Sequence, residues 1–392
     1  TASAAARRAG MYAVCWAASA GASSAVSGAW LLAGTQSTAL VLSSTTPSTA
    51  AVVLDGDAPA APAVVGTVLA LSVAQQLTGQ ARSPRVLVLT CGALAATGAA
   101  HAASDTAHVG AWGFARVLRL EHAALRALSA DVSRGASARA AGAALGAATE
   151  EAEAVWRDGG RCAARLRACG ASLRGEGAVV RGVYAITGGL GGLGLRAAAM
   201  LVEVGACGVL LTSRSGRVAR EDDALDAGVS ASARAVTSDV GDAADAVALL
   251  GCSVLVGALH AAGVLRDQML RGMAADAVYS SFAPKAVAAS HIHAARARTG
   301  LEAPGFFASV SSTFGNLGQA NYAAANATLD AVALSRRLRG VLGSSLQIPA
   351  VSGAGMGAAT FDTEQLEAMG GISLGEFVAC LAASLVPARS AA

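Results

Sequence analysis

In the second half of the chain, apolar residues come in short unbroken blocks and do not alternate with polar ones. Residues 182–187, 208–212, 234–237, 254–259 and 306–310 are such blocks, each four to six residues long. Blocks of that length, bounded by turn residues, predict strands buried on both faces. Between them the apolar positions follow helical spacing, most clearly at 195–204 and in the alanine-rich stretch 323–338. Strands separated by helical segments of roughly 10–15 residues predict an α/β fold with a parallel, doubly wound sheet. One stretch, 246–265, runs 20 residues without a charged side chain, which is long enough to cross a bilayer. It holds Gly251, Gly257, His260 and Gly263, and divides better into a helix end, a buried strand and a loop. No membrane segment is expected.

The first half repeats the pattern less clearly. Residues 29–32, 39–42, 51–54 and 85–89 predict buried strands, and 63–77 a helix. None of these strands is followed by a Gly-x-Gly-x-x-Gly turn. Composition changes near residue 180: Trp16, Trp30, Trp112 and Trp156 all precede it, and the lysine and every asparagine follow it. Gly175-Glu176-Gly177 marks the expected boundary between the halves.

Composition narrows the function classes. Charged residues are 14%, hydrophobic residues 54% and mean hydropathy is +0.51, which excludes a disordered chain. A net charge of +3 with no Lys/Arg run predicts no nucleic-acid partner. The seven cysteines are scattered singly with no Cys-x-x-Cys pair. That argues against disulfides and zinc, and for a reducing compartment such as the cytoplasm. The opening Thr-Ala-Ser lacks an initiator methionine, as expected of a piece excised from a longer polypeptide. Of 29 basic residues only one, Lys285, is a lysine, and the three asparagines are Asn316, Asn321 and Asn326.

Chemistry enters at Thr187-Gly188-Gly189-Leu190-Gly191-Gly192-Leu193-Gly194, between a predicted strand and a predicted helix. A glycine turn in that context predicts a dinucleotide site. The glycines allow a tight turn, close approach of the pyrophosphate and close helix–strand packing, with the helix N-terminus facing the phosphates. The second strand ends in Ser213-Arg214-Ser215, where an acidic residue would select NAD. Arginine offers donors to a 2′-phosphate, so NADPH is the expected cofactor. Asp239, beside Val240, suits either the adenine amino group or the N-cap of the following helix. His260 at a strand end reads as a packed or backbone-bonded histidine before it reads as an acid. His291 and His293 read as surface residues on different helix faces.

Ser309 and Tyr322 are spaced as Ser-x12-Tyr, and Asn326 lies one helical turn beyond the tyrosine. A tyrosine that protonates a ketone at neutral pH needs a nearby cation, because its free pKa is about 10. Ordinary short-chain reductases place a lysine where Asn326 stands; here Lys285 follows Phe282-Ala283-Pro284 instead. This exchange, together with Gly315-Asn316-Leu317-Gly318-Gln319-Ala320-Asn321-Tyr322, Ser213-Arg214-Ser215-Gly216 and His260-Ala261-Ala262-Gly263-Val264, resembles the ketoreductase domain of modular polyketide synthases. Tyr12 to Trp16, Ala111 to Val117 with Glu121-His122, Trp156-Arg157-Asp158-Gly159 and Arg165-Leu166 extend the resemblance into the first half.

The resemblance implies two Rossmann-like subdomains: residues 1–180, truncated and without cofactor, and residues 181–392, which bind NADPH and carry the chemistry. It implies reduction of a β-ketoacyl thioester carried on an acyl carrier protein, among neighbouring synthase domains. In that scheme Tyr322 donates the proton, Ser309 orients the carbonyl, Lys285 lowers the tyrosine pKa and meets the nicotinamide ribose, and Asn326 supports the relay. Leu265-Arg266-Asp267 keeps two residues of the Leu-Asp-Asp found in B-type domains, and Phe314 stands where A-type domains carry tryptophan. B-type stereochemistry is therefore expected. Gln319 and Met356 complete the residues expected to border the substrate. The tryptophan usual before Gly353-Ala354-Gly355-Met356 is absent. The alternative is a structural domain of the same family without activity.

Overall fold

The computed structural model of the chain describes residues 11–19, 30–34, 48–54, 64–80, 83–94, 106–133, 144, 151–157, 160–168, 180–218, 230–252, 254–295, 303–360, 362–368 and 370–385. The strand expected at 39–42 and the boundary at 175–177 lie outside these residues.

Two sheets organise the chain. The first contains β1 (Tyr12–Ala18), β2 (Trp30–Gly34), β3 (Thr49–Leu54), β4 (Arg85–Cys91), β5 (Leu128–Val132), β6 (Glu153–Arg157) and β7 (Gly160–Ala168). Its order is β1-β7-β6-β5-β4-β3-β2. Strands β2 to β6 are parallel, while β7 and β1 add an antiparallel edge. β5 escapes the hydrophobic pattern because Asp131 points into its core. That carboxylate accepts hydrogen bonds from Thr90 Oγ1 at 2.6 Å and from the Ala93 amide at 3.0 Å. A buried acid is stable only with such donors, and its polarity interrupts the apolar run.

The second sheet contains β8 (Val183–Thr187), β9 (Gly208–Ser213), β10 (Ala233–Thr237), β11 (Leu255–His260), β12 (Ala303–Ser309) and β13 (Ser344–Ile348). It is parallel throughout, in the order β10-β9-β8-β11-β12-β13. The chain moves outward from β8 in one direction, then returns past it to β11 and continues the other way. The crevice at that reversal, beyond the carboxyl ends of β8 and β11, is where an open α/β sheet receives its ligand. In the first sheet the parallel strands follow one another without such a reversal.

Helices α1 (Val64–Leu77) and α2 (Gly110–Glu121) pack on the first sheet. α3 (Gly192–Glu203), α4 (Ala243–Leu250), α5 (Ala275–Phe282), α6 (Ala288–Ala295), α7 (Ala320–Leu338) and α8 (Leu374–Leu385) belong with the second. The uncharged stretch 246–265 divides as its glycines predict, into the end of α4, strand β11 and a loop. Among the described residues no helix is long and apolar enough to cross a membrane.

One apolar cluster crosses between the halves. It joins Leu54, Leu71, Phe114 and Leu118 to Leu270, Phe282, Ala320 and Ala323. Its centre is the contact of α2 with α7. A Cβ on Gly113 would come 2.3 Å from Ala323 O and 2.9 Å from Ala324 Cα, so the two helices touch backbone to backbone. Arg116 on α2 holds Glu153 through two bonds of 2.7 Å and also donates to the Ser312 carbonyl, just after β12.

Candidate active site

The glycine turn follows β8 directly. Gly188 has a φ of +68°, and a Cβ there would lie 2.6 Å from Ala262 Cα. A Cβ on Gly194 would lie 2.7 Å from Gly188 O, and one on Gly189 2.5 Å from Ile186 O. These glycines let β8, α3 and the loop after β11 meet closely. α3 has Gly191 as its N-cap, with no side-chain cap and no acidic residue in its first turn. Its free N–H groups and positive dipole end are left for an anion.

Beyond the turn lies a cavity of 670 Å³. Gly188, Leu190, Gly191, Gly192, Leu193 and Gly194 form one wall, with Ser213, Arg214 and Ser215 at the end of β9. Asp239 and Val240 follow β10, and Ala261, Ala262 and Gly263 follow β11; Met356 closes the far side. The glycine amides and arginines of this lining suit the phosphates of a dinucleotide. Arg217 joins Arg214 there. Asp239 is exposed, and its Oδ1 accepts from the Gly241 amide at 3.0 Å. The N-cap of α4 is instead Asp242, whose carboxylate accepts from the Ala244 and Asp245 amides. Asp239 remains free to face the cavity.

Of the residues expected to bind the cofactor, Thr187, Gly189, His260, Lys285 and Tyr322 do not line this cavity. Thr187 and His260 are buried beneath it. His260 Nε2 lies 3.1 Å from the Lys285 carbonyl and Nδ1 lies 2.6 Å from Thr187 Oγ1. A carbonyl only accepts, so Nε2 carries the proton and Nδ1 accepts from the threonine hydroxyl. Burial, and then the charge of Lys285, lower the imidazole pKa to about 3. His260 is therefore a neutral bridge. His291 is not a free surface residue: it is half-buried, with Nδ1 2.8 Å from the Val240 carbonyl. His293 is half-buried as well.

Lys285 sits in a π-helical turn, Ala283–Val287, between α5 and α6. Such turns recur at functional sites because the extra residue re-aims a side chain. The ammonium donates to the Phe307 carbonyl at 3.0 Å and lies 5.2 Å from the centre of the Tyr322 ring. A Cβ on Gly263 would come 2.7 Å from Lys285 Cε, so this glycine separates the lysine stem from the nucleotide cavity. Tyr322 opens α7 and is 7% exposed; Lys285 is 3% exposed. Asn326, one turn later, donates to the Tyr322 carbonyl at 2.8 Å and leaves its buried Oδ1 without a donor. Ser309 ends β12, where its Oγ accepts from the Ser311 amide at 3.2 Å. The serine hydroxyl proton is thereby left for another acceptor.

The two central pKa shifts are set by burial. It lowers Lys285 to about 7, against the opposing pull of Asp330. It raises Tyr322 to about 12, with the Asn326 amide opposing and the Asp267 carboxylate adding to the rise. Burial therefore sets the direction of the Tyr322 shift.

Asp330, two turns along α7 from Tyr322, was not singled out from the sequence. It accepts from Ser312 Oγ at 2.6 Å, Ser345 Oγ at 2.6 Å and Gln347 Nε2 at 2.8 Å. It ties the Tyr322 helix to β13 and to the turn after Ser309. An aspartate inside an alanine-rich helix was the only available signal. Of the substrate candidates, Asp267 accepts from Gln319 Nε2 at 2.9 Å, joining the loop after β11 to the loop before α7. Leu265 is half-buried on the first of these loops. Phe314 is 60% exposed and lines a separate 440 Å³ cavity with Trp16 and Trp112, not the nucleotide cavity.

Comparison with known proteins agrees with this geometry. Residues 182–353 match the KR domain model. The chain is 33% identical over 354 residues to 5-methyl-1-naphthoate synthase of Streptomyces sahachiroi, covering 82% of this chain and 20% of that protein. It is 35% identical over 247 residues to the spectinabilin polyketide synthase system protein NorA' of Streptomyces orinoci, covering 60% of this chain and 7% of that protein. The chain therefore spans a small part of the length of these relatives. Among solved structures, an A-type ketoreductase from a modular polyketide synthase superposes with a TM-score of 0.84 at 25% identity, over 98% of this chain and 92% of that one. The ketoreductase from the first module of phoslactomycin biosynthesis in Streptomyces sp. HK803 gives 0.81 at 26%, over 97% and 92%.

Proposed function

Because the chain belongs to the ketoreductases of polyketide synthases, with residues 182–353 as its KR domain, we propose that it is an active, NADPH-dependent β-ketoacyl reductase. Its substrate is a β-ketoacyl thioester delivered by an acyl carrier protein among neighbouring synthase domains. Residues 181–392 carry the reaction, and residues 1–180 form a structural half. The observation that carries the reading is Lys285 buried against the Tyr322 ring, beside a glycine-walled cavity that holds Arg214.

Nicotinamide cofactors are the hydride donors of this family. The turn 188–194 and the open start of α3 receive the phosphates, and Arg214 pairs with the 2′-phosphate. Tyr322, with its pKa near 12, keeps its proton at neutral pH and gives it to the carbonyl oxygen as the β-carbon gains hydride. Ser309 donates its hydroxyl proton to the same oxygen and fixes its position. The phenolate left on Tyr322 is buried, and the ammonium of Lys285 offsets its charge. Asn326 holds the Tyr322 backbone and keeps its Oδ1 as an acceptor in the proton relay. Leu265 and Asp267, with Asp267 held by Gln319, favour the B-type alcohol.

The test is NADPH oxidation with a β-ketoacyl thioester, comparing wild type with Tyr322→Phe. Loss of one proton donor is expected to slow turnover by about 10²–10⁴-fold. Equal rates would refute the assignment of Tyr322 as the proton donor, and no turnover by wild type would leave the inactive structural reading. Chiral analysis of the alcohol tests the B-type assignment, and an A-type product would refute it.

A further inference from the structure

The two loops that carry Leu265, Asp267 and Gln319 are held from the other half of the molecule. Glu121 ends α2 on the first half. Its Oε2 accepts from the Leu270 amide at 2.6 Å, and its Oε1 accepts from the Gly318 amide at 2.9 Å. Gln75 on α1 approaches from another side, and its Nε2 donates to the carbonyls of Leu270 at 2.8 Å and Met273 at 2.9 Å. Leu270 thus has both backbone groups satisfied by the first half, and its side chain is 1% exposed within the shared core.

The loops are also tied to each other. The Gln268 amide donates to the Gly318 carbonyl at 2.8 Å, and Asn321 Nδ2 donates to the Arg266 carbonyl at 2.8 Å. Gly315 turns back at φ +74°, where a Cβ would meet Leu120 Cδ1 at 2.9 Å and Arg116 C at 3.1 Å. The second loop is therefore seated directly on α2.

We infer that Glu121 and Gln75 are positioning residues for the reaction: together they set the register of the loops at 265–273 and 315–319, and so the face on which the ketone is presented. The inference rests on the ketoreductase reading for its consequence, but not for its geometry. A carboxylate suits this place because its two oxygens accept from two separate amides. A carboxamide there would keep one acceptor and turn an N–H₂ group toward the other amide, leaving that donor unpaired.

The experiment uses the full chain with NADPH and a racemic 2-methyl-3-oxoacyl N-acetylcysteamine thioester. Glu121→Gln is expected to raise the KM for the thioester about tenfold and to erode the ratio of product stereoisomers, while NADPH affinity stays within about twofold. Gln75→Ala is expected to act in the same direction. Hydrogen exchange at the Leu270 and Gly318 amides should accelerate about tenfold in Glu121→Gln. Variants that lose thermal stability but keep the KM, the stereoisomer ratio and the exchange rates of the parent would overturn the inference. If Glu121→Gln does not fold, Gln75→Ala carries the test, since it leaves the carboxylate in place. A wild-type chain that binds NADPH without turnover would refute the ketoreductase reading, and the exchange measurement would still decide whether the clamp exists.

Discussion

Lys285→Met removes a cation whose burial the fold opposes, and the cost can be worked from the structure. The ammonium is 3% exposed, and its pKa falls from 10.5 to about 7. Below pH 7 both folded and unfolded chains hold the proton, and the folded state bears the whole penalty. Between pH 7 and 10.5 the unfolded chain still holds a proton that the folded chain has released. Stability therefore rises with pH across that window, by up to about 1.4 kcal/mol per unit. Integrated from pH 7 to 9, with the lysine half-protonated at the start, the gain is roughly 2 kcal/mol. Methionine has similar length and no charge, so the variant lacks this slope. The assay is urea unfolding of the cofactor-free chain at pH 7 and pH 9, followed by far-ultraviolet circular dichroism. Other titrating groups are common to both proteins and cancel when the two pH profiles are subtracted. A residual slope of roughly 2 kcal/mol is expected from the lysine alone. Parallel profiles would mean that the ammonium is solvated and would refute the desolvation of Lys285.

Two further outcomes are expected. Gly113→Ala places a methyl group 2.3 Å from Ala323 O, so α2 and α7 must separate; a loss of about 1–3 kcal/mol follows from overpacking, read as a lower Tm, and an unchanged Tm would refute the close contact. Arg214→Ala is expected to weaken NADPH binding about tenfold or more while leaving NADH affinity unchanged, measured by fluorescence titration, and equal losses for both cofactors would show that the arginine does not read the 2′-phosphate.

The sequence carried the elements whose causes are local. The strand–glycine–helix passage at 182–203 was legible because turn chemistry, apolar blocks and helical spacing agree there. The uncharged stretch 246–265 was divided correctly by its glycines for the same reason. β5 was missed because Asp131 looks polar until its donors from Thr90, Ala93 and Leu94 are seen. The choice between a ligand and a cap at Asp239 was open in the sequence, and the structure gives the N-cap of α4 to Asp242. His291 passed for a surface residue because its partner, the Val240 carbonyl, comes from a distant segment.

What the sequence determined by itself was the fold class, because residue type and short spacing specify strands, turns and helix faces; Lys285, Ser309, Tyr322 and Asn326 were singled out by spacing together with a family resemblance. What only the tertiary structure decided was how those groups are charged and held. Lys285 and Tyr322 are far apart along the chain, and their pKa values depend on the volume of protein that excludes water from both. Glu121 and Gln75 reach loops in the other half of the molecule. Burial and long-range backbone hydrogen bonds depend on which surfaces meet, and no local pattern of residues encodes that.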